Sequence, residues 1–203
     1  FFWADNSLNS SLRNNIQTMM QGLQAMKDSA ALLVYWDGEA SDISWPEPCI
    51  VEYVTNGQGR INSMSKEAVN AMIADQDMSV HDLISIGNIR KKYSPQTSTE
   101  KTVMQTVIGD MMSVYPSESY GIIFGSHGSG WLPTITGTRS IGQDGGRYSS
   151  DTALIPELAE VLRTVNPQKF DFVLFDACMM GCAEVYYELK DACLLYTSDA
   201  ADE

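Results

Sequence analysis

Short apolar runs that stop at a polar residue recur along this chain of 203 residues, and amphipathic stretches lie between them. The first run, Phe1 to Ala4, ends at Asp5-Asn6-Ser7. Behind it Leu12, Ile16, Met19, Met20, Leu23 and Met26 recur at the spacing of one helical face, with Ser10 or Ser11 placed as the cap. Ala31 to Trp36 is a second buried strand and halts at Asp37-Gly38. Strand, helix and strand in that order predict a βαβ unit. Pro46 and Pro48 then bracket a turn, and Ile50 to Val54 runs into Asn56-Gly57, a strong hairpin signal, ahead of Arg60 to Met64. A small antiparallel hairpin is expected there, beside the main sheet.

Residues 65 to 115 read as helical. Val69, Met72 and Ile73 mark a short helix behind Ser65, and Val103, Met104, Val107, Ile108 and Met111 a longer one, with Ser94 to Thr99 as a loop between them. Methionines at 19, 20, 26, 104, 111 and 112 are read as core filling. Two later runs are too short for helices and rich in β-branched and aromatic residues. Tyr120 to Phe124 leads into Gly125-Ser126-His127-Gly128-Ser129-Gly130-Trp131, and Phe170 to Phe175 leads into Asp176-Ala177-Cys178-Met179-Met180-Gly181. Between them a Gly-rich stretch from Pro133 to Ser150 reads as a long loop. Leu154, Leu158, Val161, Leu162 and Val165 give a crossover helix, and Val185, Tyr186 and Leu189 a further helix. The length suits one domain.

Parallel strands deliver their C-terminal residues to one edge of a sheet, the edge where open α/β folds bind ligands, so His127 and Cys178 are expected to meet. A thiol is mostly protonated near neutrality and needs a base, a cation or a helix N-terminus to become a nucleophile. Cys178 is read as leading into a helix, with His127 as its base and the amides of Gly128 and Cys178 as an oxyanion hole. The plainer alternative is that both residues are simply buried at strand ends. Cys178, Cys182 and His127, with Cys193 as a fourth, offer zinc-type ligands, but paired Cys-x-x-Cys knuckles are absent. A Cys178–Cys182 disulfide would block the nucleophile. No phosphate-loop or dinucleotide glycine pattern is present. His81 stands apart from any motif.

Charge narrows the partners. Thirteen Lys and Arg against 26 Asp and Glu give a formal charge of −13, which repels phosphate backbones and argues against nucleic acid as a partner. The same field favours cationic ligands. No apolar run reaches the roughly 20 residues of a membrane-spanning helix, so no membrane-spanning segment is expected. The four cysteines are too sparse for a disulfide scaffold. The chain opens on Phe1 rather than Met, which is read as missing upstream residues.

Tyr115 to Pro133 and Phe170 to Asp191 resemble the clostripain-like cysteine peptidases, in both motifs and in their order. Asp5-Asn6-Ser7-Leu8 and the strand ending at Asp37-Gly38 are similar to the family's N-terminal half. The resemblance implies a caspase-like α/β sandwich of three layers, with a mostly parallel sheet flanked by helices. It implies a Cys178 and His127 dyad and cleavage of peptides or proteins after Arg or Lys. Asp176 matches an acidic position in the pocket for that basic side chain, where a carboxylate pairs with a guanidinium. Alternatively it caps the helix leaving the Cys strand. Self-cleavage between His and Cys is a family property, with Arg139 and Arg147 as the expected points. The resemblance brings in calcium, but the acidic residues form no EF-hand loop, so no metal or other cofactor is assigned. It also implies a secreted or bacterial cell-envelope location. The family continues beyond the Cys helix, so the fold is expected to be incomplete at the C-terminus, with a partial catalytic domain over 1–193. Residues 194–203 resemble translated adapter read-through and are expected to be a non-native tail. The other readings are a catalytically disabled caspase-like binding module and a zinc-binding domain.

Overall fold

The computed structural model describes residues 1–3, 8–37, 47–75, 77–130, 140–144 and 151–198. In chain order the first elements are β1 (Phe2–Trp3), α1 (Asn9–Ala25), β2 (Ala30–Trp36), β3 (Cys49–Thr55), α2 (Lys66–Ala74), α3 (Val80–Ile86) and β4 (Asn88–Lys92). They are followed by α4 (Lys101–Val114), β5 (Gly121–Gly125), β6 (Ser140–Asp144), β7 (Asp151–Leu154) and α5 (Ile155–Val165). The chain then forms β8 (Phe170–Asp176), α6 (Ala183–Leu189) and β9 (Cys193–Ser198). Among the described residues one sheet has the order β4-β3-β2-β1-β5-β8-β9, and β6 and β7 pair separately. From β2 through β1, β5 and β8 to β9 every pairing is parallel, whereas β2-β3 and β3-β4 are antiparallel.

Alternation along the strands sends side chains into two cores, which makes the three layers. Val34 and Trp36 face a core with Ile16, Met20 and Leu23 of α1, Val69 and Met72 of α2, and Leu83 of α3. Tyr35, Phe124, Val173 and Phe175 face the other core. There they meet Met104, Val107, Ile108 and Met111 of α4, Leu158 and Leu162 of α5, and Val185 of α6. The chain leaves β1 toward β2 by way of α1 on one face and leaves β5 toward β8 by way of α5 on the other. The strand order therefore reverses at β1 and β5, and the crevice beyond their C-terminal ends is the topological switch point of the sheet.

Several expectations are corrected. Helix α1 begins at Asn9, with Leu8 at the N-cap and no side-chain cap, so Ser10 and Ser11 lie inside its first turn. Apolar periodicity locates a helical face better than a helix end. Met26 is 45% exposed and fills no core. The hairpin expected over 50–64 does not form, because both edges of β3 are taken by β2 and β4. Instead Asn62, with φ of 51°, folds the following loop back: its N–H donates to Val54 O at 2.8 Å and its Oδ1 accepts from Val54 N–H at 2.9 Å. Residues 88–92, read as part of a helical region, are an edge strand whose five side chains are all exposed. The small antiparallel pair lies further on, where β6 occupies part of the stretch read as a loop. Strand β9 pairs with β8: Cys193 and Tyr196 pack against the core, Leu194 and Leu195 are 72% and 61% exposed, and Ser198 Oγ is buried without a hydrogen-bond partner among the described residues.

Candidate active site

The β5-β8 ladder builds the site. Its register ends with Gly125 opposite Asp176, and Ser126 N–H extends it by donating to Asp176 O at 3.3 Å. His127 and Cys178 each lie two residues beyond this last pair, in the loops that leave the two strands. The two loops pack closely. A Cβ added to Gly128 would lie 2.5 Å from Cys178 O, and one added to Gly130, with φ of +58°, would lie 2.2 Å from Met179 O. Glycine is therefore the residue both contacts permit.

Each loop is also held from its far side. Gly142 N–H of β6 donates to His127 O at 2.9 Å, and Ser129 N–H donates to Ser140 O at 3.0 Å. Ser140 N–H returns a bond to Ser129 Oγ at 3.0 Å. Beyond Cys178 the chain turns at Met179, whose φ of 60° is left-handed for a residue with a side chain. Met180 is fully buried and its carbonyl accepts from Tyr196 Oη, whereas Met179 is 59% exposed. The turn thus buries one methionine as an anchor and leaves the other beside the thiol.

His127 and Cys178 are both half-buried, and all four cysteines are free thiols. Withdrawal from water holds the His127 pKa below its ordinary 6.5, which favours the neutral ring that accepts a proton. The expectation that Cys178 leads directly into a helix is corrected: α6 begins at Ala183, with Cys182 at its N-cap. Nor does Asp176 cap that helix. Its Oδ2 accepts a hydrogen bond from Asn15 Nδ2 of α1, on the opposite side of the sheet edge.

Among the described residues, no three of His, Cys, Asp and Glu are grouped to hold a metal ion, so Cys178, Cys182, Cys193 and His127 do not form a zinc set. Cys193 is buried, with its thiol directed to Leu189 O at 3.7 Å. Arg139 and Arg147 lie outside the described residues. His81 is exposed on α3.

Two polar groups at this edge were not singled out from sequence as site residues. Asp37, 6% exposed at the end of β2, accepts from Ser98 Oγ, which is bonded to Tyr35 Oη at 2.7 Å. Gln96 Nε2 donates to the same tyrosine oxygen at 3.1 Å, so this cluster fastens the loop before α4 to β2. The other is Asn15. Its only signal was positional: a helix that follows a parallel strand begins at the strand's C-terminal edge, so its first turns overlook whatever gathers there.

The sequence pattern of the clostripain family matches residues 1–200. The fold is similar to a secreted C11 cysteine protease from Bacteroides thetaiotaomicron, solved in complex with an irreversible peptide inhibitor. The TM-score is 0.62 at 26% identity, over 94% of this chain and 47% of that one. An inactive zymogen C11 protease from Parabacteroides distasonis gives 0.63 at 25% identity, over 95% of this chain and 44% of that one. A secreted Bacteroides thetaiotaomicron C11 protease titled iotapain gives 0.68 at 17% identity over 100% and 51%, a likeness of fold. The chain spans about half the length of these structures. No curated protein matches it. A family pattern that runs through both strand-end motifs, carried on a sheet shared with solved C11 proteases, places this chain in the clostripain family of cysteine peptidases.

Proposed function

We propose that the protein is a secreted or envelope-located cysteine endopeptidase that cleaves peptide bonds after Arg or Lys, with Cys178 as nucleophile and His127 as its base and acid. The observation that carries this reading is the β5-β8 register together with the contact of Gly128 with the Cys178 carbonyl: it supports the pairing because His127 and Cys178 each follow by two residues the last paired position, Gly125 opposite Asp176. Cys178 Sγ attacks the scissile carbonyl carbon while its proton passes to the His127 ring. The carbonyl electron pair moves to oxygen, which the amides of Gly128 and Cys178 receive. Collapse of that intermediate breaks the C–N bond, and the ring returns the proton to the leaving amine. Water then attacks the thioester, His127 again taking and returning a proton, and the acid product leaves.

Asp176, immediately before the thiol-bearing turn, is the proposed partner of the substrate's basic side chain. A carboxylate there suits a cation better than any neutral group. Arg139 and Arg147 are the proposed self-cleavage points.

The test uses the complete protein and peptides with Arg or Lys before the scissile bond. Cys178→Ala and His127→Ala each lower kcat by about 1000-fold or more, and Cys182→Ser keeps most of the activity. The Cys178→Ala protein stays a single chain where the unsubstituted protein is cut after Arg139 or Arg147. Hydrolysis that survives Cys178→Ala removes the assignment and points to a differently built site, whereas a complete protein that hydrolyses neither peptide is a disabled module.

A further inference from the structure

We infer that Asn15, in the second turn of α1, is a positioning residue for specificity: its amide holds the Asp176 carboxylate in the orientation that receives a planar guanidinium. The inference rests on the reading that Asp176 meets the substrate's basic side chain. It adds a residue from another element, brought to that acid by the fold.

The hydrogen bond runs from Asn15 Nδ2 to Asp176 Oδ2 and spans 161 positions of sequence. Both residues are half-buried. An aspartate side chain rotates about two torsions, and an unheld carboxylate plane samples several directions. Bidentate capture of a guanidinium needs that plane fixed, because two parallel N–H donors must meet two oxygens. Asn15 is suited to fix it. It is a neutral donor, so it brings no positive charge to compete with an incoming cation, as Lys or Arg at the same position would.

The donor is mounted on a rigid base. Ile16, Met20 and Leu23 seat α1 in the core beneath the sheet. Its polar side ties it to the neighbouring helices: Gln17 Nε2 donates to Asp75 O at 2.8 Å and to Met72 O at 3.2 Å, and Arg13 Nη1 donates to Met78 O at 3.0 Å. A hydrogen bond from a packed helix holds its partner more closely than one from a loop would. An ammonium is a compact point charge with rotatable donors and tolerates a disordered carboxylate plane, whereas a guanidinium does not. Loss of Asn15 should therefore penalise Arg more than Lys.

The experiment measures kcat and KM for matched peptides with Arg or Lys before the scissile bond, in the complete protein. Asn15→Ala is expected to lower the Arg-to-Lys ratio of kcat/KM about fivefold to tenfold, through KM and with little change in kcat. Asn15→Leu, which keeps the branching at Cγ without the amide donor, is expected to do the same and covers the case in which the alanine variant folds poorly. Combined with Asp176→Asn, Asn15→Ala is expected to have no further effect, since the acid it positions is gone. An unchanged Arg-to-Lys ratio in both Asn15 variants, or a full additive loss on top of Asp176→Asn, overturns the inference while Asp176 keeps its role. If Asp176→Asn alone leaves kcat/KM for both peptides at its starting level, the reading of Asp176 fails and the inference falls with it.

Discussion

His127 is the residue whose environment makes the most definite statement about acidity. Its ring is partly withdrawn from water, which disfavours the imidazolium, and its backbone carbonyl is held by β6 at 2.9 Å. The folded protein therefore binds this proton less readily than the unfolded chain does. Unfolding then takes up a proton between the folded midpoint and 6.5, so stability is full above 6.5 and declines as pH falls through that window. Histidine NMR should place the His127 midpoint below 6.5, and, on the proposed role of His127 as base, the acid limb of kcat/KM should lie below 6.5 as well, because a base works as the neutral ring. His127→Gln should show a smaller loss of melting temperature than the unsubstituted protein between about pH 7 and about pH 5. A ring that titrates above 6.5 would mean that a negative partner, such as a thiolate, outweighs the loss of water.

At the scale of elements the site is two strand ends and the loops that leave them, pressed together until only glycine fits. Gly128→Ala would drive a Cβ to 2.5 Å from Cys178 O, where the obstacle is backbone rather than a flexible side chain tip. The loops must part by about 1 Å, and misplacement on that scale costs about 100-fold in rate, so kcat should fall to that degree while circular dichroism keeps its folded form. An alanine variant with unaltered kcat would show that the loops do not need their close contact. The adjacency of β5 and β8 was legible because both are mostly apolar runs, β8 interrupted only by Asp171 before its last residue, close to the signature of strands buried on two faces. Strand β4 was not legible: Asn88-Ile89-Arg90-Lys91-Lys92 carries the charge that blunts an exposed edge, and such a strand has no apolar pattern to read. Strand β6 was hidden in a Gly-rich and Ser-rich stretch because its pairing partners, β7 and the His127 loop, are set by tertiary contact. The hairpin signal at Asn56-Gly57 did mark a turn, with Gly57 at φ of 79°, but local signals do not say which strand comes back to pair. Contacts such as Asn15 to Asp176 depend on the packing of a helix over a sheet edge and leave no spacing in the sequence.

Across the whole molecule the excess of acid is unevenly offset. Arg90, Lys91 and Lys92 sit together on β4, facing Glu52, Asp110 and Glu47 at 3.5, 2.5 and 2.8 Å. Four strand spacings separate β4 from β5, about 19 Å at the usual spacing. That is more than twice the screening length of about 8 Å at physiological salt, so these cations do little to neutralise the field at the opposite part of the sheet edge. A net charge of −13 should therefore draw cationic peptides toward the site, and the attraction should weaken as salt shortens its reach. We expect kcat/KM for an Arg or Lys peptide to fall several-fold between about 0.01 M and about 0.3 M salt, mainly through KM. Alkylation of Cys178 by iodoacetamide, followed by mass spectrometry of its peptide, supplies the control because the reagent is neutral. Its rate should stay nearly level over the same range if the field acts on the substrate. A parallel decline of both rates would place the salt effect in the thiol or its loop instead, and a peptide rate indifferent to salt would mean that the acidic surface plays no part in gathering substrate.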